Sequence, residues 1–559
     1  MSTNSLLNMG VRAMFAAQTQ LSTTSHNIAN ASVAGYSRQS AKLATVVGQD
    51  LGVGYIGGGV GVETVERAAN RFLAAQTNQS QAQSSADSTR LGMLHQLEAG
   101  YPLGELGLGQ AGSRLFASFG DLAAAPKDAA VREVVLSAVE TTASRFRSTG
   151  EHLASLQTAT AQQLDDEVTT VNGLTEQIAG LNRQLIGSGS AHDQPNDLLD
   201  QRDALIAKLS QHIDVSRIDN RDQNGQPDGS VSLFVGGGQP VVLGADSHAL
   251  KSVPQPGAPD QRGIAITLNG QDRPLSATSL GGGAMAGLLQ FQNSDLGNAR
   301  AELGLMASAL ADSLNTQHAK GTDLDGAVGQ SLLRVGDPVA VAAASNARDS
   351  SGAFLAKVSV SRVAGQGAQL QASDYTLQQD PANSARFQVT RLSDGTVFSG
   401  LNNGAQLDGF TFDVGTPAPA AQDRFLLQPV STAAQTATAT LTDPRKLAAA
   451  GATAAGSGNT NALVMQNLAK ANTVNGTTFS NQYAHTVSAL GVRVQRADAA
   501  SQASGALATR NKEQLGSETG VNLEEEAANL LQFQQSYQAA AKVLVTAQKL
   551  FDTMLSVMN

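Results

Sequence analysis

Three glycines near the N-terminus have a spacing that can bind a phosphate. Gly52, Gly54 and Gly57 match G-x-G-x-x-G, in which the backbone approaches a pyrophosphate at the start of a helix. That chemistry needs a strand before the motif, a helix opening at it and an acidic residue about 20 positions later. Here more glycines follow, and Val60 and Val62 then indicate a strand. The pattern predicts a flexible hairpin, not a nucleotide site.

Histidines and acidic residues could hold a metal ion. No histidines have the H-E-x-x-H spacing and the chain has no cysteine, so a zinc site would need distant residues to converge. Asp323, Asp325 and Gly326 resemble part of a calcium loop, but the third ligand and the closing glutamate are missing. We predict an Asp-Gly turn there and no metal or cofactor. The histidines, expected at surfaces or helix ends, are His26, His95, His152, His192, His212, His248, His318 and His485.

Two runs of three carboxylates, residues 165–167 and 524–526, could in principle supply a catalytic acid and base. Adjacent residues on a helix point to different sides, so neither run makes a facing pair. Negative charge in a first turn is favourable for the helix dipole, and we interpret residues 524–526 as a helix start. Without a G-x-S-x-G, S-x-x-K or kinase motif, the sequence predicts no catalytic residues and no enzyme.

The net charge and the apolar runs narrow the classes of partner. The chain has 37 Lys and Arg against 47 Asp and Glu, a net charge of −10, and no basic cluster that could follow nucleic-acid phosphates. No segment reaches the roughly 18 apolar residues of a membrane span. The N-terminus lacks the basic region and apolar run of a cleaved signal peptide. We expect no nucleic-acid partner, no association with a membrane and no cleaved signal peptide.

The positions of proline separate two helical ends from an irregular middle. The first proline is Pro102 and the last is Pro444. Proline in a helix interior costs about 3 kcal/mol. The proline-free ends therefore predict long terminal helices around a β-rich or irregular centre.

The N-terminal segment has a heptad repeat of large apolar residues. Leu7, Met14, Leu21 and Ile28 recur every seven positions, which assigns them to position a of a coiled coil. Small residues stand three positions later, at d, where they permit close helix approach. These small residues are Gly10, Ala17, Thr24 and Ala31. The helix should end near residue 31, because a turn-like stretch follows.

The C-terminal segment has a longer repeat. Asn522 and Glu525 form a capping-box-like start, and a helix over 523–558 would span roughly 54 Å. Position a is filled by Leu523, Leu530, Tyr537, Leu544, Phe551 and Met558, and position d by Phe533, Ala540, Ala547 and Met554, with Glu526 as the exception. Since isolated helices are marginal in water, each stripe needs a partner. We expect the two termini to pack together within one subunit, although periodicity leaves packing between subunits open.

The middle of the chain contains both helical and β patterns. Two heptad lines predict interior helices: Leu164, Val171, Ile178 and Leu185, and Leu289, Leu296, Leu303 and Leu310. A further helix-compatible stretch covers about 480–515. Residues 214–280 and 331–430 have strand patterns with turn signals such as Asp394-Gly395.

These patterns together predict a mixed α and β, multidomain fold. We expect a terminal, coiled-coil-like helical domain from residues 1–60 and 516–559. A helical-bundle rod domain would comprise 61–330 and 431–515, with a small β part at 214–280. Residues 331–430 would form an inserted β domain.

The segment NIANASVAGYSRQ, residues 27–39, carries a family resemblance. It is similar to the motif that closes the N-terminal helix in rod, hook and hook-associated proteins of the bacterial flagellum. Its ending, Ser37-Arg38-Gln39, resembles the hook-associated protein 1 family. Rod and hook proteins usually have an aromatic-Lys version there, and flagellin lacks the Asn-Ile-Ala-Asn block. Residues 57–73, 196–210, 287–329 and 519–555 resemble the same family, so the likeness covers both ends and the helical middle.

The resemblance implies a structural subunit of the junction between flagellar hook and filament. It implies export through the flagellar channel to an extracellular position, and a ring-like helical layer of copies with the terminal helices lining the channel. The implied partners are other copies of the chain, the hook protein, the second hook–filament junction protein and a flagellar export chaperone. The expected assembly interface is Leu7, Met14, Leu21, Asn27, Ile28, Asn30, Leu523, Leu530, Phe533, Tyr537, Leu544, Phe551, Met554 and Met558.

Two departures from the family pattern concern local contacts. Asn70 stands where aspartate is expected, and residues 330–333 lack the usual aromatic ending. Three alternatives stay open on sequence alone. They are another flagellar axial protein such as a hook or filament subunit, a secreted adhesin or enzyme carried on the insert, and a cytoplasmic chaperone or scaffold coiled coil.

Overall fold

The computed structural model describes residues 3–50, 55–187, 195–255, 257–453 and 458–558. The mixed, multidomain architecture predicted from the sequence is confirmed. Long helices from the two ends pair with each other, a helical bundle follows, and two regions of β-structure interrupt the bundle sequence.

The terminal helices are α1 (Thr3–Asn30) and α10 (Leu523–Met558). They pack antiparallel, because Gly10 of α1 lies against Leu544 while Asn27 reaches Glu526. The Oδ1 atom of Asn522 accepts from the backbone N–H of Glu524 at 3.0 Å, as expected for an N-cap. We call α1 and α10 the helix pair.

A hairpin connects the helix pair to the bundle. Its strands β1 (Gln39–Thr45) and β4 (Val60–Arg67) pair antiparallel, with β2 (Gln49–Asp50) and β3 (Tyr55–Ile56) paired farther out. This agrees with the predicted hairpin and with the strand predicted from Val60 and Val62. Gly52 and Gly54 of the predicted loop lie outside the described residues.

The bundle is built from eight helices within the described ranges. They are α2 (Arg71–Ala99), α3 (Leu108–Ala124), α4 (Ala129–Gly187), α5 (Asn196–His212), α6 (Ala284–Gln290), α7 (Gly297–His318), α8 (Thr460–Asn467) and α9 (Phe479–Thr519). A π-helical turn, Phe291–Leu296, joins α6 to α7. Both predicted interior heptad lines are buried. In α4, for example, Leu164, Val171 and Ile178 have no exposed area.

A small β region lies between α5 and α6, within the predicted range 214–280. One sheet has the order β5-β6-β7-β8 and a second has the order β11-β10-β9. The strands are β5 (Ser216–Arg221), β6 (Pro227–Val235), β7 (Gln239–Leu243), β8 (Asp246–Ser247), β9 (Leu250–Gln255), β10 (Ala258–Leu268) and β11 (Gln271–Leu275).

Short strand pairs lead into and out of the second β region. The strands before it are β12 (Gly321–Thr322) and β13 (Leu333–Arg334), and the strands after it are β22 (Thr438–Ala439) and β23 (Ala450–Gly451). β12 pairs with β23 and β13 with β22, both antiparallel. The outgoing and returning chain segments therefore run side by side.

The second β region, which we call the insert, has two sheets with the orders β14-β21-β16-β17-β18 and β15-β20-β19. Its buried core is separate from that of the bundle and contains Tyr375, Phe387, Phe410, Phe412 and Phe425. The strands are β14 (Val339–Ala342), β15 (Val358–Arg362), β16 (Tyr375–Asp380), β17 (Asn383–Arg391), β18 (Val397–Leu401), β19 (Gln406–Leu407), β20 (Phe410–Val414) and β21 (Phe425–Gln428).

No helix in the part of the chain that the structure describes is both long and apolar enough to span a membrane.

Candidate assembly site

The helix pair packs through small side chains. A Cβ atom added at Gly10 would stand 3.6 Å from Leu544 Cγ, an ordinary van der Waals distance. The buried apolar or hydroxyl residues of the pair are Ala16, Ala17, Thr24, Ala540 and Ala547. All except Ala16 occupy predicted d positions. Small d residues therefore bring the two helices close together, as expected for this pattern.

The large residues of the predicted interface flank this line and keep accessible area. Leu7, Met14, Leu21, Leu530, Phe533, Tyr537 and Leu544 are half-buried. Ile28, Leu523, Phe551 and Met554 are exposed by 37, 54, 39 and 51%. The side chain of Met558 lies outside the described residues. One subunit alone thus covers the small residues and leaves the large ones with free apolar surface.

Further apolar side chains on the pair are exposed away from the predicted stripe. Leu531 and Val545 of α10 are 60 and 52% exposed, and Phe15 of α1 is 60% exposed. Single exposed apolar residues are common, but contiguous ones typically mark interaction surfaces. The heptad pattern did not identify these positions because it follows one face of each helix.

Asn27 lies at the centre of a polar cluster where α1 ends. Its Oδ1 accepts from the Gln39 N–H at 2.9 Å and from the Tyr36 hydroxyl at 2.8 Å. Its Nδ2 donates to Gln39 O at 2.8 Å and to Glu526 Oε2 at 3.0 Å. These four bonds use the full capacity of an asparagine amide. Asn27 therefore fixes the chain reversal of residues 31–39 against the start of α10.

Glu526 and Arg38 complete this cluster. Arg38 Nε donates to Glu526 Oε1 at 2.7 Å, and its Nη2 donates to Glu525 Oε1 at 2.6 Å. The backbone N–H of Arg38 donates to Thr519 O at 2.8 Å. We call Asn27, Tyr36, Arg38, Gln39 and Glu526 the clasp. It joins the end of α1, the end of α9 and the beginning of α10.

The clasp continues into α5 through a second layer of charged groups. The Ser37 N–H donates to Asp200 Oδ2 at 3.0 Å, and Arg67 donates to Asp200 at 2.7 Å and to Asp203 at 2.5 Å. Asp200 is 7% exposed. Breaking a buried ion pair from one side costs about 3–5 kcal/mol, whereas the intact pair adds little net stability. These contacts therefore define an orientation between the helix pair and the bundle more than they add stability.

Burial and neighbouring charge shift the pKa values in this region. Burial raises the pKa of Tyr36 to about 12, with contributions from Asp197, Asp200 and Glu526. Burial opposes the charged form of Arg38, but the bonds to Glu526 and Glu525 outweigh it and raise its pKa. The clasp thus keeps a neutral phenol and a charged guanidinium at neutral pH.

Two asparagines that the sequence analysis named, Asn30 and Asn70, lie outside the clasp and make other contacts. Asn30 Nδ2 donates to His26 O at 3.0 Å within the last turn of α1 and does not enter the clasp. Asn70 caps α2, because its Oδ1 accepts from the Leu73 N–H at 3.1 Å, as an aspartate could. Its Nδ2 also donates to Glu518 Oε2 at 2.7 Å, which aspartate could not do. The departure at residue 70 therefore keeps the cap and adds a contact to α9.

Sequence reasoning missed the contacts that Glu526, Arg38 and Asp200 make. The available signal was the charge at position d of an otherwise apolar repeat, because an unpaired buried glutamate is rare. Its partners lie almost 500 positions away along the chain. No local pattern could have identified them.

The other chemical candidates form local structure. Asp323 Oδ1 accepts from the N–H groups of Asp325 and Ala327 at 2.9 and 2.8 Å, which makes the predicted turn. Glu167 faces His212 at 2.7 Å, whereas Asp165 faces Arg262 at 3.8 Å, so that carboxylate run diverges as expected. Over the described ranges, no group of three or more histidine or acidic side chains is placed to hold a metal ion.

Four family models match segments of this chain. The model described as flagellar hook-associated protein FlgK helical domain matches residues 94–333, and that described as flagellar hook-associated protein 1, D2-like domain, matches 344–429. The model for flagella basal body rod protein matches 7–36, and that for the C-terminal part of flagellar basal body rod FlgEFG protein matches 517–557. The last two segments are those that build the helix pair.

Similar proteins cover nearly the whole chain. It is 32% identical to flagellar hook-associated protein 1 of Salmonella typhimurium, over 99% of this chain and 100% of that protein. Identity to the Escherichia coli protein of the same name is 30%, over 99 and 100% of the two chains. Among solved structures, the flagellar hook junction protein FlgK from Burkholderia pseudomallei has a TM-score of 0.70 at 25% identity, covering 79% of this chain and 99% of that one.

Proposed function

The chain belongs to the flagellar hook-associated protein 1 (FlgK) family and is a structural subunit of the hook–filament junction, and we propose that its helix pair builds this junction. The small residues hold α1 and α10 together within a subunit. The large residues around them then pack against the helix pairs of neighbouring copies. The interface comprises the predicted heptad residues, extended by Phe15, Leu531 and Val545.

One observation carries this proposal. The helix pair buries its alanines, whereas Leu523, Phe551 and Met554 stay exposed by 39 to 54%. Burying apolar area contributes about 25 cal/mol per Å², and in a single subunit these side chains remain in water. Neighbouring copies would remove that area from solvent, so assembly stabilises what one copy leaves exposed.

We infer the arrangement of partners from the same family membership. Copies of the chain form a ring-like layer with the terminal helices toward the export channel. The hook protein lies on one side, the second hook–filament junction protein lies on the other, and an export chaperone binds the chain before export. The chain reaches an extracellular position without cleavage of a signal peptide. It acts as a structural subunit and not as an enzyme, and its relatives are named flagellar hook-associated protein 1.

We propose that each predicted domain has its own structural role. Residues 1–60 with 516–559 form the assembling domain, and residues 61–330 with 431–515 form the rod domain. Residues 331–430 form the inserted domain, whose core is separate. Full-length similarity to hook-associated protein 1 favours this function over a hook subunit, a filament subunit or an insert-borne adhesin.

A charge placed on the exposed face of α10 tests the proposal. Val545→Glu should leave the secreted monomer folded, because the valine is 52% exposed. It should abolish attachment of filaments, since a charge would be buried between copies. Electron microscopy of cells would then show complete hooks without filaments, and filament subunits would appear in the medium.

The matched control is Val134→Glu, at a valine of α4 that is 55% exposed. Cells with this control should keep their filaments. Deletion of residues 521–559 should also abolish incorporation while the bundle and insert stay folded. Normal filaments on cells carrying Val545→Glu, or on cells carrying the deletion, would overturn the proposal.

A further inference from the structure

One stripe of α7 contacts the insert and the segment that leaves it. Arg300, Gly304, Ser308 and Asp312 follow one another at intervals of four residues, which places them on one face of the helix. Gly304 lies so close to the segment that follows β21 that an added Cβ would overlap Val430 O. This surface is polar or small along its whole length, unlike the apolar interior of the bundle. We call the contact between this stripe and the insert the seam.

The far end of the seam is held by Asp312. Its Oδ1 accepts from the Gly365 N–H at 2.7 Å and its Oδ2 accepts from the Gly367 N–H at 2.8 Å. Beside it lies a cavity of ≈ 390 Å³ whose lining includes Ser308 and Leu370. The Ser308 Oγ atom is buried and has no hydrogen-bond partner. The seam therefore has polar contacts and open space beside the apolar contacts of Leu370 and Val430, which belong to the buried cluster of the bundle.

The near end of the seam joins two carboxylates through one amide. Gln428 Nε2 donates to Asp260 Oδ2 at 3.1 Å and to Asp374 Oδ2 at 3.2 Å. Asp260 belongs to β10 of the bundle region, whereas Asp374 and Gln428 belong to the insert. Ser431 Oγ donates to Asp374 Oδ1 at 2.5 Å. One amide group of the insert thus links a carboxylate of β10 to a carboxylate of the insert.

The charges at this end do not balance. Arg300 of α7 donates to Asp260 Oδ2 at 3.1 Å and is the cation that acts on Asp374, while Asp260 is the anion that acts on it. Two carboxylates thus share one guanidinium. The Asp260 Oδ1 and Arg300 Nε atoms are both buried without a hydrogen-bond partner. A second negative charge in such surroundings is costly.

We propose that docking of the insert on α7 takes up one proton at the Asp260–Gln428–Asp374 cluster, so that acid tightens the seam. Burial, followed by the charge of Asp260, raises the pKa of Asp374 to about 6, against the lowering effects of Ser431, Gln428 and Arg300. With the insert moved away from α7, water would solvate this carboxyl and return its pKa to near 3.9. Between about pH 4 and 6 the docked state then holds a proton that the undocked state does not.

Because docking takes up a proton, the direction in which pH changes docking is determined. A state that binds more protons becomes more populated as the pH falls. The ratio of docked to undocked molecules should therefore rise about tenfold from pH 7.5 to pH 5.0. Above about pH 7, both states carry the ionised carboxylate and the ratio should be constant.

A cysteine placed inside the seam measures this ratio directly. The chain has no cysteine of its own, and Ser308 is 2% exposed. In Ser308→Cys, 4,4′-dithiodipyridine can react only when the seam opens. The labelling rate, divided by the rate for an unfolded peptide at the same pH, should fall about tenfold between pH 7.5 and 5.0.

Two further substitutions in this background test the cluster itself. Adding Asp374→Asn should give slow labelling at both pH values, because the neutral amide mimics the protonated acid. Adding Asp413→Asn, at an exposed aspartate of the insert, should keep the pH response. The pair of variants separates loss of this one carboxyl from loss of any charge on the insert.

A second buried position distinguishes opening of the seam from opening of the bundle. Ser210 of α5 is fully buried, and its Oγ donates to Ile206 O within the same helix. Labelling of Ser210→Cys, made without Ser308→Cys, reports opening of the bundle. Its rate should be unchanged when Asp374→Asn is added.

Two results would overturn the proposal. One is a corrected Ser308→Cys rate that is the same at pH 7.5 and 5.0. The other is a pH response that persists unchanged with Asp374→Asn. The first result needs no substitution at the cluster, so it stands even if Asp374→Asn fails to fold.

Discussion

The helix pair and the bundle share a heptad pattern but bury opposite members of it. In α4 the large residues Leu164, Val171 and Ile178 are fully buried. In the pair the small residues are buried, while Leu523 and Phe551 are exposed by 54 and 39%. A heptad repeat therefore specifies a face but not the number of helices that will cover it. The bundle supplies its own neighbours, whereas the pair depends on other copies.

The two regions also differ in how they are oriented. Helices of the bundle are positioned by apolar contacts such as Phe146 against Phe479, with ring centroids 6.1 Å apart. The helix pair meets the bundle through the clasp and its ion pairs. Apolar contacts tolerate sliding, whereas saturated hydrogen bonds such as those of Asn27 do not. The polar contact thus defines direction where the apolar one supplies stability.

The largest expected change in the free energy of unfolding comes from replacing one phenylalanine in each region. Phe146→Ala should lower the free energy of unfolding by about 3–5 kcal/mol, because the ring is fully buried. Phe551→Ala should change it by less than about 1 kcal/mol in the monomer, since that ring is 39% exposed. Urea unfolding of the two purified variants checks this. Equal losses would mean that the pair is already covered within one subunit.

Protonation of a buried histidine should destabilise the bundle. His318 at the end of α7 is buried, and its Nε2 accepts from the Ala448 N–H at 2.7 Å. Burial lowers the pKa of His318 to about 4. The unfolded chain, with an ordinary pKa of about 6.5, then binds the proton first. Stability should therefore fall as the pH drops from about 6.5 to 4, by up to about 3 kcal/mol.

The measurement is the unfolding midpoint as a function of pH for the wild type and for His318→Gln. The difference between the two should shrink or reverse toward pH 4, because the glutamine does not titrate. His95→Gln, at an exposed histidine, is the control and should follow the wild type. Parallel wild-type and His318→Gln curves would contradict the assignment.

Replacing the charged d residue tests the clasp. By the heptad rule, Glu526→Leu should complete the apolar stripe and stabilise the pair. By the structure it should cost about 2 kcal/mol, because Asn27 Nδ2 and Arg38 Nε each lose a buried acceptor. Thermal unfolding, compared with the exposed control Glu524→Leu, distinguishes the two. A more stable Glu526→Leu would show that the clasp adds nothing.

The smallest expected change in stability tests how closely α1 and α10 pack. Gly10→Ala should raise stability by up to about 1 kcal/mol through helix propensity, since the new Cβ would have only ordinary contact with Leu544. Gly173→Ala in α4, with open space around it, gives the reference gain. In the bundle, by contrast, a Cβ at Gly112 would overlap the ring of Phe479. A loss of helicity or stability in Gly10→Ala, followed by circular dichroism, would mean that the pair is packed as tightly as the bundle.

The elements themselves could largely be predicted from the sequence. Proline-free ends, heptad lines and alternating strands indicated the terminal helices, α4, α7 and the strands of the insert, because these patterns reflect local periodicity. The end of α1 at Asn30 and the start of α10 at Leu523 also followed from cap and turn residues. Such signals lie within one or two helical turns of the residues that they determine.

Contacts between distant segments could not be predicted in this way. The pairing of Arg38 with Glu526, and of Asp260 with Asp374 through Gln428, depends on how whole elements are packed. The exposure of a heptad residue depends on how many helices surround it, which periodicity does not contain. The sequence therefore indicates where an interface lies more readily than what covers it.

Both ends of the chain enter the same helix pair, and this has a mechanical consequence. The bundle is attached to the pair at two points: through the hairpin that follows residues 31–38, and through residues 520–522 between α9 and α10. A body held by two tethers cannot swivel freely about either one. Rotation of the pair relative to the bundle would therefore strain the clasp bonds of Glu526 with Asn27 and Arg38.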